Sequence, residues 1–332
     1  MSNEPFPLRA IIGPARSGTT WAGALVDSSP EVIYRFEPFH RLAKGNYEAR
    51  EWMRRLKEQS VRESDLPAIY SLLCPAHPLT DKAPFFQDKC YPIRTFGRRQ
   101  LWPAARLFPP LRALYRAAYS PKPGPPLVFK EVTFVRPLKN LVQQTSMPLV
   151  YLVRHPCATV LSAMNAPEGS SIASTDKRLS RTLRKDAPEF ADRYGEIIDG
   201  ADVVSKYALM WLYEVESCVA AVQASGSGMV MTYEELADDA YTAGQRLFRH
   251  LGITFGDATR RFIDGLYGIA SSADSGPRRT GWGAAYYSVY RNPRELKDSW
   301  KTKLAVADRK KVESIVQGIP EIESCATMGS WW

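Results

Sequence analysis

Four short apolar runs punctuate the chain: Leu8–Ile12, Leu127–Phe129, Leu149–Val153 and Met229–Met231, each bounded by Pro, Gly or polar residues. Runs of this length with such flanks read as strands buried on both faces. Helical patterns alternate with them at Thr19–Asp27, Val135–Gln144, Ala158–Met164, Val203–Ala224 and Ala240–Leu251. Strand–helix alternation is the signature of a parallel sheet covered on both faces. The expectation is an α/β fold over residues 1–332: one domain, with a P-loop-like parallel β-sheet flanked by helices. Three segments break the alternation. Residues 41–126 are basic, aromatic and proline-punctuated, 165–200 are polar and charged, and 271–303 are rich in Gly, Arg, Tyr and Trp. Long irregular stretches in a compact enzyme are usually lids or binding loops. All three are therefore expected to form walls or lids of acceptor and donor sites.

Composition removes several classes. No run of eighteen apolar residues exists, so no transmembrane segment is expected. The start MSNEPFPLRAIIG lacks the charge, apolar stretch and cleavage site of a signal peptide, giving a cytoplasmic expectation. Five cysteines without CxxC spacing and four histidines without an HExxH-like cluster argue against a disulfide framework or a metal site. The net charge of +9 is uneven, with nine Lys or Arg residues against Asp81 and Asp88 between His77 and Lys122. That segment reads either as a solvated face or as a field drawing in an anionic donor or acceptor. No nucleic-acid motif accompanies it, so nucleic acid is not the expected partner.

The chemistry concentrates after the first strand, in Gly13-Pro14-Ala15-Arg16-Ser17-Gly18-Thr19-Thr20-Trp21, where a helix begins. A helix N-terminus presents unsatisfied N–H groups and the positive end of the dipole. Gly13 and Gly18 permit a tight turn, Thr19 and Thr20 add hydroxyls, and Arg16 adds a permanent, forked cation. The bland alternative is a glycine turn between strand and helix. A nucleoside-triphosphatase loop needs GxxxxGK[ST], but Thr19 follows Gly18 here and the cation lies inside the loop at Arg16. The loop therefore fits a phosphosulfate end better than a triphosphate. A second anion site follows the strand Leu149–Val153 in Arg154-His155-Pro156, with Ser162 eight residues after Arg154. Arg154 sits at the carboxyl end of a parallel strand, where such sheets bind ligands. An Arg and a hydroxyl can grip one phosphate if the helix presents both to it. Taken singly, Arg154 reads equally as a surface ion pair and Ser162 as a helix-surface hydroxyl.

The loop resembles the 5′-phosphosulfate loop of the sulfotransferase family. Ser29-Pro30-Glu31-Val32-Ile33-Tyr34-Arg35-Phe36-Glu37-Pro38-Phe39-His40 is similar to the second-strand segment of carbohydrate sulfotransferases. Lys130 looks like that family's lysine-bearing strand, Tyr233-Glu234-Glu235-Leu236 its tyrosine–glutamate turn, and Tyr290-Arg291-Asn292-Pro293 its basic closing loop. The likeness covers most of the chain in order, outside 41–126 and 165–200. It implies 3′-phosphoadenosine 5′-phosphosulfate (PAPS) as donor and 3′-phosphoadenosine 5′-phosphate (PAP) as product, without a metal. Donor contacts would come from Arg16, Ser17, Gly18, Thr19, Thr20, Trp21, Arg154, Ser162, Tyr233, Arg291 and Asn292. Arg154 and Ser162 would hold the 3′-phosphate. Glu37, His40 and Lys130 fall on the acceptor side, and Arg16 would stabilise the leaving phosphate.

The resemblance makes Glu37 the general base, and its structural alternative is a carboxylate paired with Arg35, Lys130 or Arg16. His40 is the rival base, because an imidazole titrates in the useful range. His155 reads as a turn residue. Trp21 either stacks on adenine or packs its helix into the core. The acceptor is expected to be a small molecule or glycan: a carbohydrate, glycolipid or glycosylated natural product. Its wall would draw on Tyr47, Trp52, Tyr70, Tyr91, Trp102, Tyr115 and Tyr119, which core packing would explain equally well. Two other classes stay open: a kinase with an unusual P-loop, requiring ATP and magnesium, and a non-catalytic polyanion-binding module indifferent to Glu37. Oligomeric state is not legible.

Overall fold

The computed structural model describes residues 6–166, 183–184, 187–200, 202–268 and 292–331. Five strands, β1 (Leu8–Gly13), β2 (Ile33–Phe36), β3 (Leu127–Val132), β4 (Leu149–Val153) and β5 (Gly228–Thr232), form one sheet in the order β2-β3-β1-β4-β5. Every neighbouring pair is parallel, with Leu8 facing Leu127 and Ala10 facing Leu149 in register. Helices cover both faces, so the central strands contribute alternate residues to two cores. Leu8, Ala10 and Ile12 of β1, with Leu149, Tyr151 and Val153 of β4, enter one core. Ile11, Val150 and Leu152 enter the other, against the helix Thr19–Asp27 and the helix Thr242–Leu251. Uninterrupted apolar runs are therefore what the architecture requires. Among the described residues no helix is long and apolar enough to cross a membrane.

The expected strands and helices are present, with shifted ends. β3 and β5 run longer than their apolar runs, and the helix after β4 begins at Pro156, whose fixed φ and missing N–H suit a first turn. Residues 41–126 correct the expectation of an irregular segment. They contain the helices Tyr47–Lys57, Leu66–Leu73, Arg98–Leu107 and Pro110–Tyr119. In the first of these, Ala49, Trp52, Met53 and Leu56 are buried at helical spacing. Pro67 and Pro110 lie in first turns, where proline starts a helix rather than breaking it. In the 165–200 segment, Pro188–Gly200 is likewise helical and buries Phe190, Ala191 and Ile198. Residues 292–303 of the expected closing loop form the helices Pro293–Lys297 and Trp300–Lys303.

The connection leaving β1 is held by a close approach. A Cβ on Gly13 would lie 2.3 Å from the carbonyl oxygen of Leu152 in β4 and 2.7 Å from Ser17 Oγ. Neither the β4 backbone nor the short loop can yield without disturbing the strand pairing. Gly13→Ala is expected to destabilise the fold by about 1–3 kcal/mol, the usual cost of overpacking. Urea denaturation would check this, and an unchanged midpoint would show that the β1–β4 junction relaxes freely.

Candidate functional site

The carboxyl ends of all five strands open into one cavity of about 960 Å³. Pro14 to Arg16 and Gly18 to Trp21 line it after β1, Phe36 and Glu37 at β2, and Val132 and Thr133 at β3. Arg154 follows β4 and Tyr233 follows β5. Ligand sites of parallel sheets form at this edge because helix N-termini and loop side chains converge there. Backbone strain collects there too. Among the described residues five non-glycine residues have positive φ, and Arg16 (73°), Glu37 (48°) and Thr133 (51°) all line this cavity. Such conformations cost on the order of 1–3 kcal/mol each and cluster at functional sites.

The loop's geometry follows from its glycines and from Tyr233. Gly18 caps the helix Thr19–Asp27 at φ 90°, with no side-chain cap. A Cβ on Gly18 would fall 2.3 Å from Cδ2 of Tyr233, so the position needs glycine for packing as well as for φ. Ser17 is fully buried and its hydroxyl donates to the Pro14 carbonyl at 2.8 Å, making it a strut inside the loop rather than part of the cavity wall. Trp21 is 7% exposed and packs edge-to-face on Tyr233 at 5.6 Å, so its ring belongs to the core while one edge reaches the cavity.

Arg154 and Ser162 both line the cavity, but they are not paired with each other in the way the spacing implied. Ser162 Oγ accepts from Nε of Arg16 at 2.9 Å, which ties the loop to the helix Pro156–Met164. Arg154 donates to the Leu296 carbonyl at 2.7 Å and lies 4.4 Å above the Tyr233 ring. Its Nε is buried without a hydrogen-bond partner, as is the Thr159 hydroxyl, one helical turn before Ser162. Thr159 was missed from the sequence, although its spacing of three from Ser162 puts both on one helix face. His155 caps that helix, its Nδ1 accepting from the Cys157 N–H at 3.1 Å, and stacks on Trp300 at 4.0 Å. Burial first, then Lys301 and Arg154, pull His155 down to about 3, so it is neutral at ordinary pH. The turn role expected of it is what it performs.

Glu37 sits in a cluster of cations. Its Oε1 accepts from Lys130 Nζ at 2.6 Å, and Oε2 accepts from Arg41 at 3.0 and 3.2 Å. Burial pushes the carboxyl up, but Lys130 and Arg41 together overcome that and bring it down to about 2. Burial lowers the Lys130 ammonium from its usual value even with Glu37 in contact. Arg35, offered as a partner for Glu37, instead binds Asp81 and the carbonyls of Leu73 and Cys74. His40 is not among the cavity-lining residues: its Nδ1 meets Oε2 of the buried Glu131 at 2.5 Å, which sets the ring beside Phe134. Tyr233 donates its hydroxyl to the Pro293 carbonyl at 3.2 Å, so it acts as a packing post. Asn292 caps the helix Pro293–Lys297 and is not among the lining residues, whereas Leu296, Ser299 and Lys303 are. Arg291 lies outside the described residues.

The aromatic wall expected from residues 41–126 is largely core. Trp52, Tyr70, Tyr115 and Tyr119 are buried, Tyr91 donates to the Val32 carbonyl, and Tyr47 is exposed away from the cavity. Of those seven aromatics Trp102 alone is among the cavity-lining residues. The basic segment divides in the same way. Lys89 and Arg98 turn inward to Asp27 and Asp81, Arg94, Arg99, Arg116 and Lys122 are exposed, and Lys82 and Arg106 reach the cavity.

A folded-state value of about 2, below the ordinary 4.5, means that Glu37 contributes stability above about pH 4.5 that is lost as pH falls toward 2. Glu37→Gln should therefore lower the urea midpoint at pH 7, and the gap from wild type should close between pH 4.5 and 2. A gap independent of pH would show that the ion cluster does not hold the carboxylate.

No protein-family model matches the chain, and no curated protein matches it in sequence. Among solved structures, the sulfotransferase domain from the curacin biosynthetic pathway aligns at 15% identity and TM-score 0.46, covering 94% of this chain and 98% of that one. Mouse sulfotransferase SULT7A1 complexed with PAP aligns at 11% identity and TM-score 0.47, over 97% and 88%. The sulfotransferase domain from the Synechococcus PCC 7002 olefin synthase aligns at 14% identity and TM-score 0.39, over 96% and 98%.

Proposed function

We propose that the protein is a sulfotransferase that uses PAPS and sulfates a hydroxyl or amine of a carbohydrate, glycolipid or glycosylated natural product. The observation that carries this reading is a pair of separate anion positions in one cavity. One is the uncapped N-terminus of the helix Thr19–Asp27 with Arg16 and the Ser162 hydroxyl bonded to it, and the other is Arg154 with Thr159. A donor with phosphate groups at two ends needs such a pair, and a triphosphate does not. The buried, unpartnered Arg154 Nε and Thr159 hydroxyl fit a phosphate that would complete their hydrogen bonding. In this reading the donor supplies an activated sulfuryl group, and the chain aligns, neutralises and accepts a proton.

Arg16 and the N–H groups of the first helical turn stabilise charge on the departing phosphate. Lys130 serves the acceptor side by holding the Glu37 carboxylate at 2.6 Å, oriented into the cavity. As the acceptor oxygen bonds to sulfur, its proton becomes strongly acidic and passes to Glu37. A carboxylate near 2 is a weak base, but it is ionised throughout the neutral range and meets that proton late, when little driving force is needed. His40, committed to Glu131 and away from the cavity lining, is the less suited of the two rivals.

Calorimetry with PAP against ATP–Mg²⁺ tests the donor. PAP is expected to bind in preference, and Arg154→Ala to weaken it about 30-fold or more, equivalent to about 2 kcal/mol. Preference for ATP–Mg²⁺ would sink the reading. Glu37→Gln is expected to keep PAP affinity and lower sulfuryl transfer to a panel of 4-nitrophenyl glycosides by about 10²-fold or more. Full turnover by that variant, with His40→Ala inactive, would move the base to His40.

A further inference from the structure

Resting on the donor reading above, we propose that the acceptor is an anion whose acidic group (carboxylate, phosphate or sulfate) binds Lys82 and Arg106. The described lining of the cavity carries seven Lys or Arg side chains against two carboxylates, Glu37 and Glu214. Arg16 and Arg154 belong to the donor positions, and Lys130 and Arg41 share Glu37. Lys82, Arg106 and Lys303 are left over: Lys303 ends the C-terminal helix Trp300–Lys303, while Lys82 and Arg106 come from the same segment outside the sheet.

Lys82 makes no ion pair with a carboxylate among the described residues. Its ammonium lies 4.1 Å from the centre of the Phe36 ring, a ring already flanked by Lys130 and Arg41, each at 4.6 Å. The neighbouring acid is unavailable. Asp81 is turned inward, fully used by Arg35 at 3.1 Å, Arg98 at 2.5 Å and the Tyr115 hydroxyl at 2.8 Å. Arg106 has no carboxylate partner among the described residues either. Its guanidinium lies 4.9 Å over Trp102, and its closest polar contact is the Pro78 carbonyl at 3.5 Å. Trp102 is pinned in turn by hydrogen bonds to the carbonyls of Pro78 and Asp81, both at 3.0 Å.

Charge held out of water without a counterion is costly, and a ligand that supplies the counterion offsets that cost. Burial first, then the nearby Lys130, pull Lys82 down to about 7 against the attraction of Glu37, and burial also lowers Arg106. Both shifts have the direction expected of cations awaiting an anion. Because Phe36 leads directly into Glu37, an acidic group on Lys82 would bring the rest of the acceptor beside the Glu37 carboxylate.

The test measures binding of 4-nitrophenyl β-D-glucuronide and phenyl phosphate against neutral 4-nitrophenyl β-D-glucoside, with the full chain, with and without PAP. The charged probes are expected to bind about tenfold or more tightly than the glucoside. Lys82→Met and Arg106→Gln should each erase most of that preference while leaving PAP affinity unchanged and the melting temperature no lower, and Lys82→Arg should keep it. Equal binding of glucuronide and glucoside, in protein that binds PAP, would overturn the anionic subsite alone. A loss of PAP affinity in Lys82→Met matching the loss of the anionic probes would also overturn it, assigning Lys82 to the donor. Preference for the charged probes in protein that ignores PAP would support the subsite while removing the donor reading.

Discussion

The Tyr233 ring lies against Gly18 so closely that one added carbon would fall 2.3 Å from it, and four parts of the cavity depend on that contact. The loop after β1 takes its left-handed turn under the ring, and Trp21 of the following helix meets the ring edge-on at 5.6 Å. Arg154 lies over the ring at 4.4 Å, and the tyrosine hydroxyl fixes Pro293 at the start of a C-terminal helix. A rigid aromatic can do this because it offers two faces, an edge and a polar tip while fixing only two side-chain torsions. The relative placement of the two proposed anion positions thus rests on a residue that spends its own polar group on the backbone.

Electrostatics divide the cavity. On one side the charges are Arg16 and Arg154, beside an uncapped helix end. On the other, Glu37 stands among Lys130 and Arg41, with Lys82 near the same phenyl ring. The positive backbone angles at Arg16, Glu37 and Thr133 fall past the ends of β1, β2 and β3, where the chain turns side chains into the same space. The two extensive cores of the sheet offset that local strain. Where the proposed chemistry holds, the same crowding of cations that depresses Glu37 keeps it ionised and aimed.

The basic segment shows why net charge alone is a poor guide to partners. Its residues divide among internal pairs, solvent and the cavity, and sequence position gives no hint of the division. Lys89 is consumed by Asp27 and by the carbonyls of Asp27, Ser29 and Val32, and Arg98 by Asp81 and Tyr115. Lys82 and Arg106, without a carboxylate partner among the described residues, are the two cations of the segment that line the cavity.

Several features were legible in the sequence because they are local. Apolar runs marked the strands, since a sheet covered on both faces admits no polar alternation, and Gly13 and Gly18 marked the turn because their conformation and packing exclude a side chain. Arg154 was legible as the residue just past a buried strand. The helices within 41–126 were hidden by prolines at helix starts, by Pro103 inside the helix Arg98–Leu107, and by aromatics that serve the core. Other features were decided by contacts between distant segments. Ser162 binds Arg16, His40 turns to Glu131, Thr159 lines the cavity with its hydroxyl unpartnered, and Lys82 is left without its neighbour Asp81. Sequence fixes which chemistry is available at each strand end; which groups neutralise one another is set by distances of a few ångströms across the fold, and those exist only once the five strand ends meet.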